Sequence, residues 1–212
     1  MKTLVFDVET TGLPTKWDPK IKEIEYWPHI VQLSWIIYNP NEDLNISDYY
    51  IKLKDGMEIP EESTKIHGIT NEKMREEGVD IKEILIKLQK DMNECDIIVA
   101  HNLKFDKSLV LVESLRNKIG FSIPQKQFCT MLYGEKICDL KRVTKWGKTV
   151  SKYPKLIELH QKLFHYEPSN LHNSLYDILV CLRCYYKLRY NQDILTIDAS
   201  FADFPCFKIQ DL

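Results

Sequence analysis

The chain has 212 residues, and at about 150 residues per domain this makes one domain the expectation. Hydrophobic residues make up 44% and charged residues 28%, a globular balance that excludes a disordered, collagenous or coiled-coil chain. The 29 basic and 31 acidic residues sum to −2, which excludes a broadly basic nucleic-acid binder but leaves room for a local basic groove.

At the N-terminus Asp7 and Glu9 stand where an export signal needs its apolar stretch, so an intracellular protein, cytoplasmic or nuclear, is expected. Apolar runs such as Ile97–Ala100 and Leu109–Val112 stop long before the ~18 residues of a bilayer span. Thr3–Val8 alternates as a strand does, and Ile30–Tyr38 and Ile46–Lys54 are β-branched and aromatic runs separated by the turn Asn39-Pro40-Asn41. Three strands joined this way predict an antiparallel meander. Asp80 precedes a helix with apolar positions 81, 84, 85, 88 and 92 and Glu83 in its first turn. Ile97–Ala100 reads as a short buried strand, and helical patterns follow at 103–118, 155–165 and 174–190. The order predicts an α/β fold, a mixed sheet flanked by helices.

Six cysteines (95, 129, 138, 181, 184 and 206) in such a chain are expected as free thiols. Cys181 and Cys184 form one C-x-x-C inside a helical pattern with no second pair, so core packing is the reading adopted. Between 141 and 155 lie Lys141, Arg142, Lys145, Lys148, Lys152 and Lys155 with no acid, interleaved with Trp146 and Tyr153. This segment reads as a solvated loop or as a phosphate-gripping element with rings for stacking. Residues 1–190 form the expected domain. Residues 191–212, with Ile194, Leu195, Ile197, Phe201, Phe204 and Phe207, form an apolar tail that packs on the domain or docks elsewhere.

Three acidic signals carry chemistry. In Phe6-Asp7-Val8-Glu9-Thr10-Thr11-Gly12 the two acids project from one face of a strand, where they repel each other and are costly to desolvate; a divalent cation removes both penalties. Asp106 falls in the first turn of a helix that follows a buried strand, the place where α/β sheets bind ligands. In Leu171-His172-Asn173-Ser174-Leu175-Tyr176-Asp177, Ser174 reads as a helix N-cap, with His172 in the preceding loop and Asp177 in the first turn.

The order and spacing of these signals resemble the DEDDh 3′→5′ exonucleases of the ribonuclease H-like superfamily, a group that includes the proofreading epsilon subunit of bacterial DNA polymerase III. The resemblance runs from Leu4 to about Leu188. It includes Ile66-His67-Gly68-Ile69-Thr70, and Tyr153-Pro154-Lys155-Leu156 with Glu158-Leu159-His160. It implies a five-stranded mixed sheet, two Mg²⁺ or Mn²⁺ ions held by Asp7, Glu9, Asp106 and Asp177 with Asp7 bridging, and His172 as general base. By the same resemblance Thr10, Thr11, Gly12 and Leu13 clasp the terminal nucleotide, His67 and Asn102 line the site, and Lys145 and Lys148 touch the substrate strand; Phe105 is assigned to the core.

The implied reaction releases 5′-mononucleotides from nucleic-acid 3′ ends, with single-stranded DNA favoured over RNA. A polymerase supplied in trans is the implied protein partner, and no membrane is involved. Two alternatives stand beside it: an accessory module that binds nucleic-acid ends for a polymerase, and an oligoribonuclease-like RNA exonuclease. A haloacid-dehalogenase-type phosphatase would need an aspartate where Glu9 stands.

Overall fold

A computed structural model describes residues 1–40 and 42–208. The alternating N-terminal segment forms β1 (Thr3–Thr10), the central strand of a five-stranded sheet. The remaining strands are β2 (Ile30–Tyr38), β3 (Asn45–Tyr50), β4 (Ile97–Ala100) and β5 (Gln127–Cys129), in the order β3-β2-β1-β4-β5. The first three strands are antiparallel, as the meander predicts, and β4 and β5 run parallel to β1 and to each other.

Alternation along β1 divides the core. Leu4, Phe6 and Val8 join Leu33, Trp35 and Ile98 on the face covered by α3 (Ile81–Asn93) and α4 (Leu103–Arg116). Val5 joins Ile36, Tyr38 and Val99 on the face covered by α7 (Ser174–Tyr190). Asp80 caps α3 as its position predicts, accepting from the Lys82 amide at 2.8 Å.

Several boundaries differ from the predicted ones. The strand predicted over Ile46–Lys54 ends at Tyr50, because Ile51 turns to pair with Val79 and the chain then enters the Asp55-Gly56 turn. Two helices that periodicity misses, α1 (Glu61–His67) and α2 (Asn71–Glu77), are each seven residues long, too short to display a repeat. They cover a third small core of Val31, Leu53, Ile59, Ile69 and Met74. In the Asn39-Pro40-Asn41 turn, Asn41 lies outside the described residues; the Glu42 amide donates to the Asn39 carbonyl at 3.0 Å.

The basic segment is folded into a ribbon rather than an open loop. After α5 (Thr130–Cys138), β6 (Lys141–Val143) pairs antiparallel with β7 (Thr149–Ser151), and α6 (Leu156–Phe164) follows. In the tail, α8 (Ile194–Ile197) and two 3₁₀ turns bury Ile194, Phe201 and Phe207 against α7. Phe201 meets Tyr38 edge-on at 5.4 Å, and Arg183 holds Asp193 with two bonds of 2.8 and 2.6 Å. Residues 209–212 of the tail lie outside the described residues.

A clamp fixes the excursion between β1 and β2. The Arg116 guanidinium, at the end of α4, donates to the carbonyls of Ile24, Trp27 and Pro28 at 2.6, 2.6 and 2.8 Å. It also meets the buried Glu113 carboxylate at 2.7 Å, which lies 3.0 Å from the His29 ring. Burial pushes Glu113 up, but His29 and Arg116 outweigh it and hold the carboxyl below its usual range. Cys181 and Cys184 are buried thiols on α7, both pushed up by burial. Among the described residues no helix is long and apolar enough to cross a membrane.

Candidate active site

Asp7 and Glu9 share the α7 face of β1, because they follow Val5 at two-residue steps. Their position along the strand explains why they are reachable. β4 pairs with β1 only from Thr3↔Ile97 to Val5↔Val99, and it ends at Ala100. Asp7 therefore stands at the edge where β4 has stopped and the chain turns into α4, which carries Asp106 in its first turn.

The third carboxylate arrives from the opposite layer. The N-terminus of α7 is seated on β2 by polar contacts: the Ser174 hydroxyl bonds Ser34, the Ser174 amide donates to Gln32 Oε1 at 3.3 Å, and Asp48 accepts from both Gln32 and Ser34. Ser174 is thus a buried anchor inside the helix, not its cap. Asn173 takes the capping role, accepting from the Leu175 amide at 3.1 Å, because the Ser174 hydroxyl is already engaged with β2. This seating aims Asp177 at β1. Ligand oxygens of Asp7, Glu9 and Asp177 all lie within 4.8 Å of one another.

Asp106 is 3% exposed, and its Oδ2 is buried without a hydrogen-bond partner. It stands outside the tight trio but close enough to Asp7 to raise it. The four acids are held in a state that disfavours their charge. Burial, then Asp106, Asp177 and Glu9, push Asp7 well above the carboxylate range. Burial and Asp177 push Glu9 up to about 8. Burial raises Asp177 to about 7 against the opposing bond from the His172 amide. For Asp106 burial dominates, opposed by its own and the Val8 backbone, with Glu9 and Asp177 adding to the rise.

His172 is exposed, in the left-handed region at φ +67, and its amide donates to Asp177 Oδ2 at 3.1 Å. The Thr10 hydroxyl donates to the Gly12 carbonyl at 2.6 Å, and Thr11 bonds His29 through both its amide and its hydroxyl. Gly12 has φ +147, which side-chain-bearing residues rarely adopt, and Leu13 beyond it is 80% exposed.

His67 is buried at the end of α1, with Nδ1 accepting from the Ile69 amide at 3.1 Å and Nε2 without a hydrogen-bond partner. Burial lowers it, and the Thr10 carbonyl is near enough to oppose that fall. Asn102 holds φ +69 at the start of α4 and lines a cleft with Trp17 and Lys104. Phe105 is half-buried against the first core and also lines a neighbouring cleft. Lys145 and Lys148 sit in the turn of the β6–β7 ribbon, with the Lys145 ammonium 4.6 Å over the Trp146 ring; no hydrogen bond links either to the acids. His160 serves the core: Nδ1 donates to the Tyr166 carbonyl at 3.1 Å while Nε2 accepts from Arg183, and burial lowers it to about 4.

Sequence reasoning missed Trp17. An isolated tryptophan between Pro14 and Pro19 belongs to no periodic pattern, and its only signal was the absence of one.

Residues 4–185 match the RNase T family model, described as Exonuclease. Over 104 residues, 49% of this chain, the sequence is 30% identical to the DNA polymerase III PolC-type of Mycoplasma genitalium, of which the match covers 6%. Exonuclease I of E. coli in complex with a dT13 oligonucleotide has a similar fold, with a TM-score of 0.64 at 16% identity over 90% of this chain and 42% of that one. Exonuclease X in complex with 5′ overhanging duplex DNA gives a TM-score of 0.57 at 16% identity, over 90% of this chain and 92% of that one. The chain spans less than half the length of the polymerase and of Exonuclease I.

Proposed function

The chain belongs to the RNase T exonuclease family, and from that premise we propose that it is a metal-dependent 3′→5′ exonuclease releasing 5′-mononucleotides from nucleic-acid 3′ ends. The observation that carries this reading is the meeting of the Asp7, Glu9 and Asp177 oxygens within 4.8 Å, with the buried, unpaired Asp106 beside them. Four hard oxygen donors that repel each other in a buried site fit divalent cations, and Asp7, Glu9, Asp106 and Asp177 would hold Mg²⁺ or Mn²⁺ there. Two such ions supply charge stabilisation to the attacking and leaving oxygens of an in-line displacement at phosphorus.

The chain's own groups do the rest. The exposed imidazole of His172, tethered through its amide to Asp177, takes the proton of the attacking water on a ring nitrogen. The Thr10–Leu13 segment, fixed by its bonds to His29, holds the terminal nucleotide: Gly12 permits close backbone approach and Leu13 offers an apolar face to the base. His67 and Asn102 present polar groups beside it. The leaving group is the 3′-oxygen of the penultimate nucleotide.

Single-stranded DNA is the preferred substrate, a choice supported by the dT13 oligonucleotide bound to the structurally similar Exonuclease I, whereas the similar Exonuclease X holds 5′ overhanging duplex DNA. The likeness to a PolC-type polymerase favours a second reading, a module that binds nucleic-acid ends for a polymerase acting in trans. The free thiols Cys95, Cys129, Cys138, Cys181, Cys184 and Cys206 suit a reducing compartment.

The test is one gel. 5′-labelled single-stranded DNA, duplex DNA and single-stranded RNA are incubated with wild type and Asp7→Ala, in Mg²⁺, Mn²⁺ or chelator. A ladder shortening from the 3′ end, dependent on metal and absent in the variant, is expected. Binding without cleavage of any strand would replace this reading with the accessory one.

A further inference from the structure

The loop that carries His172, residues 165–173, joins α6 to α7. Within it Asn170 and His172 are left-handed, at φ +60 and +67. That conformation is costly for a residue with a side chain and persists only where the surroundings fix it. His172 is exposed, so packing of its own side chain does not fix it. The C-terminal tail does. The Ser169 hydroxyl donates to the Pro205 carbonyl at 2.9 Å, and the Ser169 amide donates to the Cys206 carbonyl at 3.2 Å.

The two ends of the loop are held elsewhere. At the start, Tyr166 accepts from His160 through its carbonyl, at 3.1 Å, and from Arg183 through its hydroxyl. At the finish, the His172 amide meets Asp177 and Asn173 caps α7. Between Tyr166 and His172, among the described residues, every hydrogen bond that leaves the loop goes to the tail.

The tail is itself anchored. Its last 3₁₀ turn, Pro205–Phe207, buries Cys206 and Phe207. The Phe207 ring stacks on His160 with centroids 6.5 Å apart, and the Arg183 guanidinium lies 5.3 Å from its centroid. Arg183 thus grips the tail twice, through Phe207 and through Asp193, while also holding Tyr166 of the loop. Burial raises the Cys206 thiol to about 12, and Asp177 is near enough to add to the rise. Every tail residue in this arrangement lies past residues 4–185, the part matched by the family model.

We propose that Ser169 and the tail segment Pro205–Phe207 form a brace that positions the His172 imidazole, so that the base is in place only while the tail is docked. The inference rests on His172 acting as general base and deepens that reading. Ser169 and Phe207 are positioning residues, which act through the backbone of the loop rather than on the substrate.

The test uses the whole chain with a 5′-labelled oligothymidylate in saturating Mg²⁺ or Mn²⁺. Ser169→Ala lowers kcat roughly five-fold and Phe207→Ala roughly ten-fold or more, with KM nearly unchanged, while Phe207→Leu restores most of the rate. Neither loss adds to that of His172→Ala, because a brace has nothing to position once the imidazole is gone. Unchanged kcat, a loss carried by KM, or a full further loss on top of His172→Ala would overturn the brace. If wild type shortens no strand, or His172→Ala is as fast as wild type, the catalytic reading fails instead. Amide hydrogen exchange of the metal-free protein then decides the brace without turnover. Faster exchange at the His172 amide, by roughly five-fold in Ser169→Ala and ten-fold in Phe207→Ala, with the Leu182 amide of α7 unchanged, supports it. An unchanged rate at His172, or equal acceleration at Leu182, overturns it.

Discussion

Asp7 and Glu9 sit on the central strand of the sheet just past the end of β4, with a helix across their face, whereas Arg142, Lys145 and Lys148 sit on a two-stranded ribbon exposed at nearly every position. The first group is negative and crowded; the second is positive and spread out. Burial turns the carboxylates into a standing demand for cations, fixed to within the precision of the sheet. Exposure leaves the ribbon's charges as a long-range, salt-screened attraction for a polyanion, with little control over where each phosphate lands. Precise chemistry and tolerant grip are thus assigned to different parts of the chain.

The sharpest way to break this contrast is Asp7→Asn. Turnover is expected to fall on the order of 10³-fold or more, because a cation ligand is lost. Removing one of four repelling groups also raises the melting temperature of the metal-free protein. A fall in both activity and metal-free stability would mean that the carboxylates are not strained against each other. Next in size is His172→Ala, with kcat lowered by roughly 10²–10⁴ and KM little changed, read by steady-state kinetics.

On the ribbon, exchanging both Lys145 and Lys148 for Glu should raise KM roughly ten-fold at low salt and flatten its salt dependence, with kcat held. Kinetics unchanged across ionic strength would dismiss the ribbon as a grip. The smallest effect is on stability against pH. Glu9 and Asp177 titrate near 8 and 7 when folded, above their unfolded values, so the folded state binds more protons between about pH 4 and 8. Metal-free protein should therefore be most stable at the acid end of that window and lose a few degrees of melting temperature, roughly, as pH rises through it. Saturating Mg²⁺ should abolish the decline; a flat metal-free profile in calorimetry would contradict it.

Much of this was legible in the chain because it rests on repeats. The two-residue step of β1 places Asp7 and Glu9 on one face, and the buried run Ile97–Ala100 announces the strand whose end exposes them. Asp177 could be placed in a first turn from local signals alone. What the chain could not tell was which hydroxyl or amide side chain would cap that turn. Ser174 and Asn173 are both good caps, and the choice was made by Ser34 and Gln32, distant in sequence. The same holds for α1 and α2, stabilised by a small core assembled from β2 and the loops rather than by their own pattern. Trp17 was silent for a different reason: at 95% exposed it belongs to no core and so to no hydrophobic pattern.

The Arg116 clamp has a consequence for how this molecule can diversify. By taking the carbonyls of Ile24, Trp27 and Pro28, it makes the return limb of the excursion a rigid base, to which the outgoing limb is tied through the Thr15 amide on the Tyr26 carbonyl and Asp18 on Lys104. Closing a short loop on a rigid base costs less entropy than closing the whole excursion. Mutations of the exposed Leu13 and Trp17 side chains therefore cost folding little and are open to selection on the ligand. The tip can drift while its foundation stays put.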